Sequence, residues 1–228
     1  MKKIAAATLA VGLLAGGSSH AQDLGEKAIS MRLPGIVFSR ALNGAEKEAK
    51  VAGDVITLTS QAKRDNFRDP DGKLSNNTAP ILLAEIDNTK PFTFVARVKP
   101  TFHETYDAGT LYLWARDDLW LKVAMERDER KSIRVVTVRT TGTSDDNNHD
   151  IAPASALYLK ISSDTKTVGI YYSADQKTWQ LVRLFKNDYP AKLWTGISTQ
   201  SPVGDGTSAV FDSMALTKES IKDFRMGE

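Results

Sequence analysis

Residues 110–126, Thr-Leu-Tyr-Leu-Trp-Ala-Arg-Asp-Asp-Leu-Trp-Leu-Lys-Val-Ala-Met-Glu, decide how this chain folds. Two runs of strand-forming residues flank the turn pair Asp117-Asp118, so the segment reads as an antiparallel hairpin. Along its second strand Trp120, Lys122, Ala124 and Glu126 point to one face, and Leu121, Val123 and Met125 to the other. A turn of two or of four residues gives the same parity across the hairpin. That parity places Leu111, Leu113 and Ala115 on the Trp120/Lys122 face, and Tyr112 and Trp114 with Leu121 and Val123. Both faces are largely apolar, the pattern of a central strand covered on both sides, one by core and one by loops or a ligand groove. The pattern leaves open which face is core.

Outward from this hairpin the same period repeats. Residues 91–99 alternate cleanly, with Phe92, Phe94, Ala96 and Val98 inward and Thr93, Val95, Arg97 and Lys99 outward. Further strands are expected near Val55–Ser60, Ile81–Ile86, Ile133–Thr140, Leu157–Ile161, Val168–Ser173, Trp179–Phe185, Leu193–Gln200 and Ser208–Leu216. Strands at this spacing predict an all-β fold, a sandwich or jelly roll of two antiparallel sheets. Arg68–Gly72 is a turn in which Pro70 presets φ and Gly72 tolerates positive φ. Ser144–Asp150 reads as a seven-residue polar loop, Ser173–Trp179 as a hairpin turn, and Ser201–Gly206 as another loop. Helical turns are expected only at Glu46–Lys50 and Lys218–Phe224.

The first residues read as an address. Lys2 and Lys3 precede the apolar run Ile4–Ala15, and Ser19-His20-Ala21 is a small-x-small cleavage site. The run is too short to cross a bilayer at about 20 residues per crossing. The expectation is a bacterial-type export signal over residues 1–21 cut near Ala21-Gln22, with a periplasmic or secreted product and no transmembrane segment in it. The rest divides into an N-terminal segment (22–52), one sandwich domain (53–217) and a C-terminal tail (218–228). Two of the thirty Lys and Arg leave with the signal and no acid does, so 28 remain against 28 acids. A chain without net charge gives no reason to expect nucleic acid or an anionic membrane as partner. Cysteine is absent, which excludes disulfides, thiolate catalysis and Cys-zinc sites.

Several catalytic patterns fail on inspection. His103-Glu104 lacks the second His of a zincin helix, Gly196–Gln200 lacks the last Gly of a nucleophile elbow, and Glu85-Ile86-Asp87 has Thr89 where a glycosidase acid would stand. The oxygens of Ser144–Asp150 are what Ca²⁺ takes, but a solvated turn needs the same residues and no Glu stands at EF-hand spacing. No metal site and no cofactor are therefore expected. The Trp120/Lys122/Glu126 face remains. Trp120 and Lys122 are roughly 6.6 Å apart along the strand and fit within one sugar ring, whereas Glu126 lies roughly 13 Å from Lys122. Any partner of Glu126 must come from a neighbouring strand or from the acidic loops.

Asp69-Pro70-Asp71-Gly72, Asn77-Thr78-Ala79-Pro80, Tyr106–Gly109, Trp120 with Lys122 and Glu126, Val135-Val136-Thr137, Ser144–Asn147, Trp179 with Val182-Arg183, and Gln200-Ser201-Pro202 with Gly204 and Gly206 occur in this order. Together they resemble the "regulation of enolase protein 1"-like family of unknown function, over about residues 53–217. Departures are Thr78 within the usual Asn-Ala-Pro run, Asn147 directly after Asp146 where Cys often intervenes, and Gln176 in place of a turn glycine. The resemblance implies a concanavalin A-like lectin/glucanase sandwich, and it brings the Ser144–Asn147 loop and Gln200 beside the Trp120 strand.

The expected function is saccharide or polysaccharide binding in a concave groove. Trp120 would stack on a sugar, Lys122, Glu126 and Gln200 would bond its hydroxyls, and Asp145, Asp146 and Asn147 would line the rim. One alternative is a glycoside hydrolase or lyase using Glu126 as catalytic acid/base, with Asp69, Asp107, Asp145 or Asp146 as partner. The other is an envelope interaction or structural protein. The oligomeric state is left open.

Overall fold

The structure, a computed structural model, describes residues 25–228; the expected export signal lies outside them. In chain order the elements are β1 (Glu26–Leu33), β2 (Ile36–Leu42), α1 (Ala45–Glu48), β3 (Ala49–Ala52), β4 (Val55–Gln61), β5 (Asn66–Arg68), β6 (Ser75–Asn77), β7 (Ile81–Asp87), β8 (Phe92–Pro100), β9 (Ala108–Arg116), β10 (Leu119–Arg127), β11 (Ile133–Thr141), β12 (Thr143–Ile151), β13 (Leu157–Ser163), β14 (Thr167–Ser173), β15 (Gln180–Lys186), β16 (Lys192–Gln200) and β17 (Gly206–Thr217). They form an eight-stranded sheet ordered β1-β2-β7-β16-β9-β10-β11-β12, a seven-stranded sheet ordered β15-β14-β13-β8-β17-β4-β3, and the small pair β5-β6. Every pairing is antiparallel, and the two large sheets pack as the expected sandwich. Among the described residues no helix is long and apolar enough to cross a membrane.

The main core lies between the sheets. Leu121, Val123 and Met125 of β10 meet Phe94 and Val98 of β8, Ile161 of β13 and Phe211 of β17, and all are buried. Each such side chain contributes about 1.5–3 kcal/mol when removed from water. This settles which face of β10 is core, and it corrects the expected parity across the hairpin. The register shifts between Leu119 and Trp120, so Trp120 pairs with Trp114, Leu121 with Leu113 and Lys122 with Tyr112. That bulge reverses the parity, because one extra residue moves every later side chain to the other face. Tyr112 and Trp114 therefore share the outer face with Trp120 and Lys122, and Leu111 and Leu113 point into the core.

Three further segments differ from expectation. Residues 26–52, set apart by sequence, supply β1 and β2 to one sheet and β3 to the other. Their alternation is faint because β1 and β3 are edge strands with mostly exposed side chains. Ser144–Asp150 is not a loop but most of the edge strand β12, whose polar residues suit an exposed edge. Lys218–Phe224 forms no helix; a turn at residues 224–227 docks on the seven-stranded sheet, where Tyr171 Oη donates to Phe224 O at 2.7 Å. Gln176, in place of a turn glycine, takes φ 63°, a left-handed conformation that glycine adopts without strain.

Candidate functional site

Four registered rows cross the outer face of the eight-stranded sheet through β16, β9 and β10: Trp194-Trp114-Trp120, Gly196-Tyr112-Lys122, Ser198-Thr110-Ala124 and Gln200-Ala108-Glu126. At the Trp end the face is apolar and closed. The Trp114 and Trp120 rings stack at 6.2 Å with 8° between their planes, and Tyr112 tilts against both. The β5-β6 hairpin folds over them. Phe67 packs on the aromatic cluster, Asn66 Nδ2 donates to Tyr112 Oη at 3.3 Å, and Arg68 N donates to Ser144 Oγ at 3.0 Å. Trp120 is 0% exposed, and its indole N–H donates to Asp117 O. A ring sealed under a lid cannot stack on a sugar, so Trp120 is core rather than the expected platform. The sequence gives a turn at Arg68–Gly72 but no sign of the sheet face onto which that turn folds back.

Toward the other end the buried face becomes polar. Lys122 Nζ donates to Asp65 Oδ1 at 3.1 Å, to Asn66 O at 2.8 Å and to Gln200 Oε1 at 2.8 Å, three bonds for three ammonium protons. Burial favours the neutral amine, but Asp65, Tyr112 and Glu126 outweigh it and hold the ammonium above the usual lysine range. Lys122 is thus a structural cation that pins the lid to the sheet. Gln200 passes the connection on, its amide donating to Glu126 Oε2 at 3.1 Å and to Tyr106 O at 3.2 Å. A side chain on β16 therefore bridges two β10 groups that the strand itself holds too far apart.

Glu126 is the chemically distinctive group. It is 7% exposed, and burial pushes its carboxyl up to about 8, with Lys122 pulling down and Asp65, Asp146 and Glu129 adding to the rise. It keeps its proton well above the ordinary carboxylate range, and the protonated acid can donate as well as accept. Beside it stands Tyr106, which sequence reasoning did not single out as a site residue. Tyr106 is 39% exposed and takes φ 67°, a strained conformation for a bulky residue. Burial and the carboxylates of Glu129, Glu126 and Asp146 raise its phenol, so it stays neutral. Two backbone bonds hold the strain: Tyr106 N donates to Arg127 O, and Gln200 donates to Tyr106 O.

The remaining acids sort by register. Asp146 pairs with Val138, which pairs with Lys122, so it lies on the site face. Asp145 and Asn147 pair with Arg139 and Thr137 and point to the opposite face. Asp145 sits 3.6 Å from Arg183 of β15. The expected rim of three is therefore one residue, Asp146, because a strand splits neighbours that a loop would have kept together. Asp107, a candidate partner of Glu126, is 0% exposed; it accepts from His103 N, Glu104 N and Ser201 Oγ and ties two loops together. Asp69 stays in the hairpin turn, where its carbonyl accepts from Gly72 N. Among the described residues no three His, Asp or Glu side chains group to hold a metal ion.

A family model described as a protein of unknown function (DUF1349) matches residues 42–219. The chain is 26% identical over 177 residues to "Regulation of enolase protein 1" of Saccharomyces cerevisiae, covering 77% of this chain and 87% of that protein. A functionally unknown protein from Saccharomyces cerevisiae has a similar structure, with TM-score 0.72 and 23% identity over 80% of this chain and 96% of that one. The GH43 protein BlXynB of Bacillus licheniformis matches with TM-score 0.63 and 13% identity, over 83% of this chain but only 38% of that one. The exoplasmic/lumenal domain of VIP36, in its Ca²⁺/Man3GlcNAc-bound form, matches with TM-score 0.50 and 10% identity over 77% of this chain and 83% of that domain. At these identities the last three likenesses establish the fold alone.

Proposed function

The chain belongs to the DUF1349 family of proteins of unknown function, and on that premise we propose that it is an exported, lectin-like protein that binds saccharide at the Tyr106–Glu126–Asp146 end of its outer sheet face. The observation that carries this reading is Tyr106, an exposed aromatic ring held in a strained conformation directly beside a buried, protonated Glu126. An aromatic face with convergent hydrogen-bonding groups is the chemistry that sugar rings require. A neutral Glu126 offers both a donor and an acceptor to a hydroxyl pair, and Asp146 supplies an acceptor at the mouth. The fold shared with a domain solved in a Ca²⁺/Man3GlcNAc-bound form and with part of a GH43 protein supports the same ligand class by analogy. Export rests on the leader residues Lys2–Ala21.

Calorimetric titration against neutral oligosaccharides tests the proposal. Tyr106→Ala is expected to abolish binding while Trp120→Phe leaves it intact, and binding that survives Tyr106→Ala would refute the assignment. The raised carboxyl of Glu126 also favours a second reading, a glycosidase in which Glu126 is general acid and Asp146 the partner carboxylate. Release of nitrophenol from aryl glycosides, lost in Glu126→Gln with binding retained, would establish it; no release from any aryl glycoside would exclude it.

A further inference from the structure

The outer face of the seven-stranded sheet carries a docked segment of the chain. Residues 218–228 leave β17 at Thr217 and run across β8, β13 and β14. Four side chains of that face hold them, each through a main-chain atom. Thr93 Oγ1 donates to Glu219 O at 2.7 Å, and Ser162 Oγ accepts from Ile221 N at 3.1 Å. Tyr171 Oη donates to Phe224 O and Lys160 Nζ to Gly227 O, both at 2.7 Å. Asp223, whose carboxylate accepts from Arg225 N and Met226 N, spends its side chain on the segment itself. The segment is lightly held: Phe224 is half-buried, and Arg225, Met226 and Glu228 are exposed. So little apolar burial gives low local stability.

Beneath the end of the segment lies a slot made by one cation and two rings. Lys160 is 6% exposed, with its Nζ 3.4 Å from the centre of the Trp179 ring and 5.9 Å from that of Tyr171. Gly169 makes room for Tyr171, since a Cβ there would lie 2.2 Å from Tyr171 Oη. Gly227 enters between the rings at φ +76°. A Cβ on it would stand 2.8 Å from Tyr171 Cδ1 and 2.9 Å from Trp179 Cβ, so the slot admits glycine alone. Among the described residues Gly227 O is the one hydrogen-bond acceptor of the Lys160 ammonium, so the slot receives a main-chain carbonyl. Burial holds the Lys160 amine below the usual lysine range, a cost that release of the segment removes. Main-chain bonds for affinity and a shape-selective slot for specificity are how a protein surface reads a peptide.

We propose that this face is a peptide-binding site which the chain's own residues 219–227 occupy, and that its partner is a segment of another protein with a glycine three residues after an aromatic, as Gly227 follows Phe224. The docked segment is then self-inhibitory, and a partner must displace it. A second copy does not supply the segment. Lys218 alone separates the end of β17 from the docked Glu219, which is too short a tether to reach another copy's face. The site lies on the other sheet from Tyr106 and Glu126 and does not depend on the saccharide reading.

The test is calorimetric titration of a synthetic peptide of residues 218–228 into the wild-type protein and into Gly227→Val, which expels the chain's own segment and leaves both sheets intact. The expected result is saturable one-to-one binding to Gly227→Val. Binding to the wild type should be at least about tenfold weaker, because the tethered segment competes at a high effective concentration. A peptide that itself carries Gly227→Val should not bind. Adding Lys160→Met to the Gly227→Val protein should weaken the peptide at least about tenfold, through loss of a charge-assisted bond. No saturable binding to Gly227→Val would overturn the proposal and make the segment a fixed part of the fold. Hydrogen exchange at the Ile221 and Gly227 amides of the wild type as slow as in β13 would overturn it equally. A wild type that dimerises with concentration, beside a Gly227→Val that stays monomeric, would make a second copy the occupant and overturn the assigned partner.

Discussion

Glu126→Gln converts the buried acid into a neutral isostere that still accepts from Gln200, and its effect on stability can be worked from the structure. The carboxyl rises from an ordinary 4.5 to about 8 in the folded protein. Between those values the folded state holds a proton that the unfolded chain has released, so the wild type loses stability as pH rises. Each unit of that window is worth about 1.4 kcal/mol, and the loss from about pH 5 to about pH 7 is about 2–3 kcal/mol. Glu126→Gln carries no such dependence. At about 3 °C per kcal/mol for a chain of this size, its melting temperature should gain about 8 °C on the wild type over that interval. The assay is thermal unfolding of both proteins across the interval in a buffer series of fixed ionic strength, and the difference between them cancels every other titrating group. Depressed carboxylates such as Asp128 lose their contribution only at pH values below their ordinary range, outside the interval. Parallel melting curves for the two proteins would show that Glu126 is ionised in the folded state and would remove the protonated donor from the site.

Three further outcomes follow from the same contacts. Asp65→Asn, which leaves Lys122 buried without its carboxylate, should cost about 3–5 kcal/mol by urea unfolding; the double change Asp65→Asn with Lys122→Met should cost less than the two single changes together. Phe67→Ala, which thins the lid, should destabilise by about 2 kcal/mol and shift tryptophan emission to the red as water reaches Trp114 and Trp120; unshifted emission would mean that the hairpin does not seal them. Tyr106→Gly relieves the left-handed strain, so it should leave stability within about 1 kcal/mol of the wild type while losing saccharide binding, which separates a ligand role from a packing role.

The fold was legible where burial imposes a period. The alternation of residues 91–99 gave β8, and the run from Thr110 to Glu126 gave β9 and β10 at the centre of a sheet. What escaped was what period cannot carry. A single bulge after Leu119 reverses the hairpin parity without leaving a mark in composition. β12 hid because an exposed edge strand and a polar loop have the same residues. The site was legible in part: Lys122, Glu126 and Gln200 do meet, through bonds that cross from β10 to β16. Trp120 misled because an aromatic ring under a lid and one in an open groove look alike until the Asn66–Asn77 hairpin is placed. Tyr106 stood within a quoted motif, but its left-handed φ and its place beside Glu126 are tertiary facts.

The most direct measurement is a crystal structure of the protein soaked in mixed neutral oligosaccharides. The account predicts a sugar ring against Tyr106, with a hydroxyl bonded to the Glu126 carboxyl and the β5-β6 hairpin still closed over Trp120. A sugar stacked on Trp120 beneath a displaced hairpin, or bound on any other face, would contradict it.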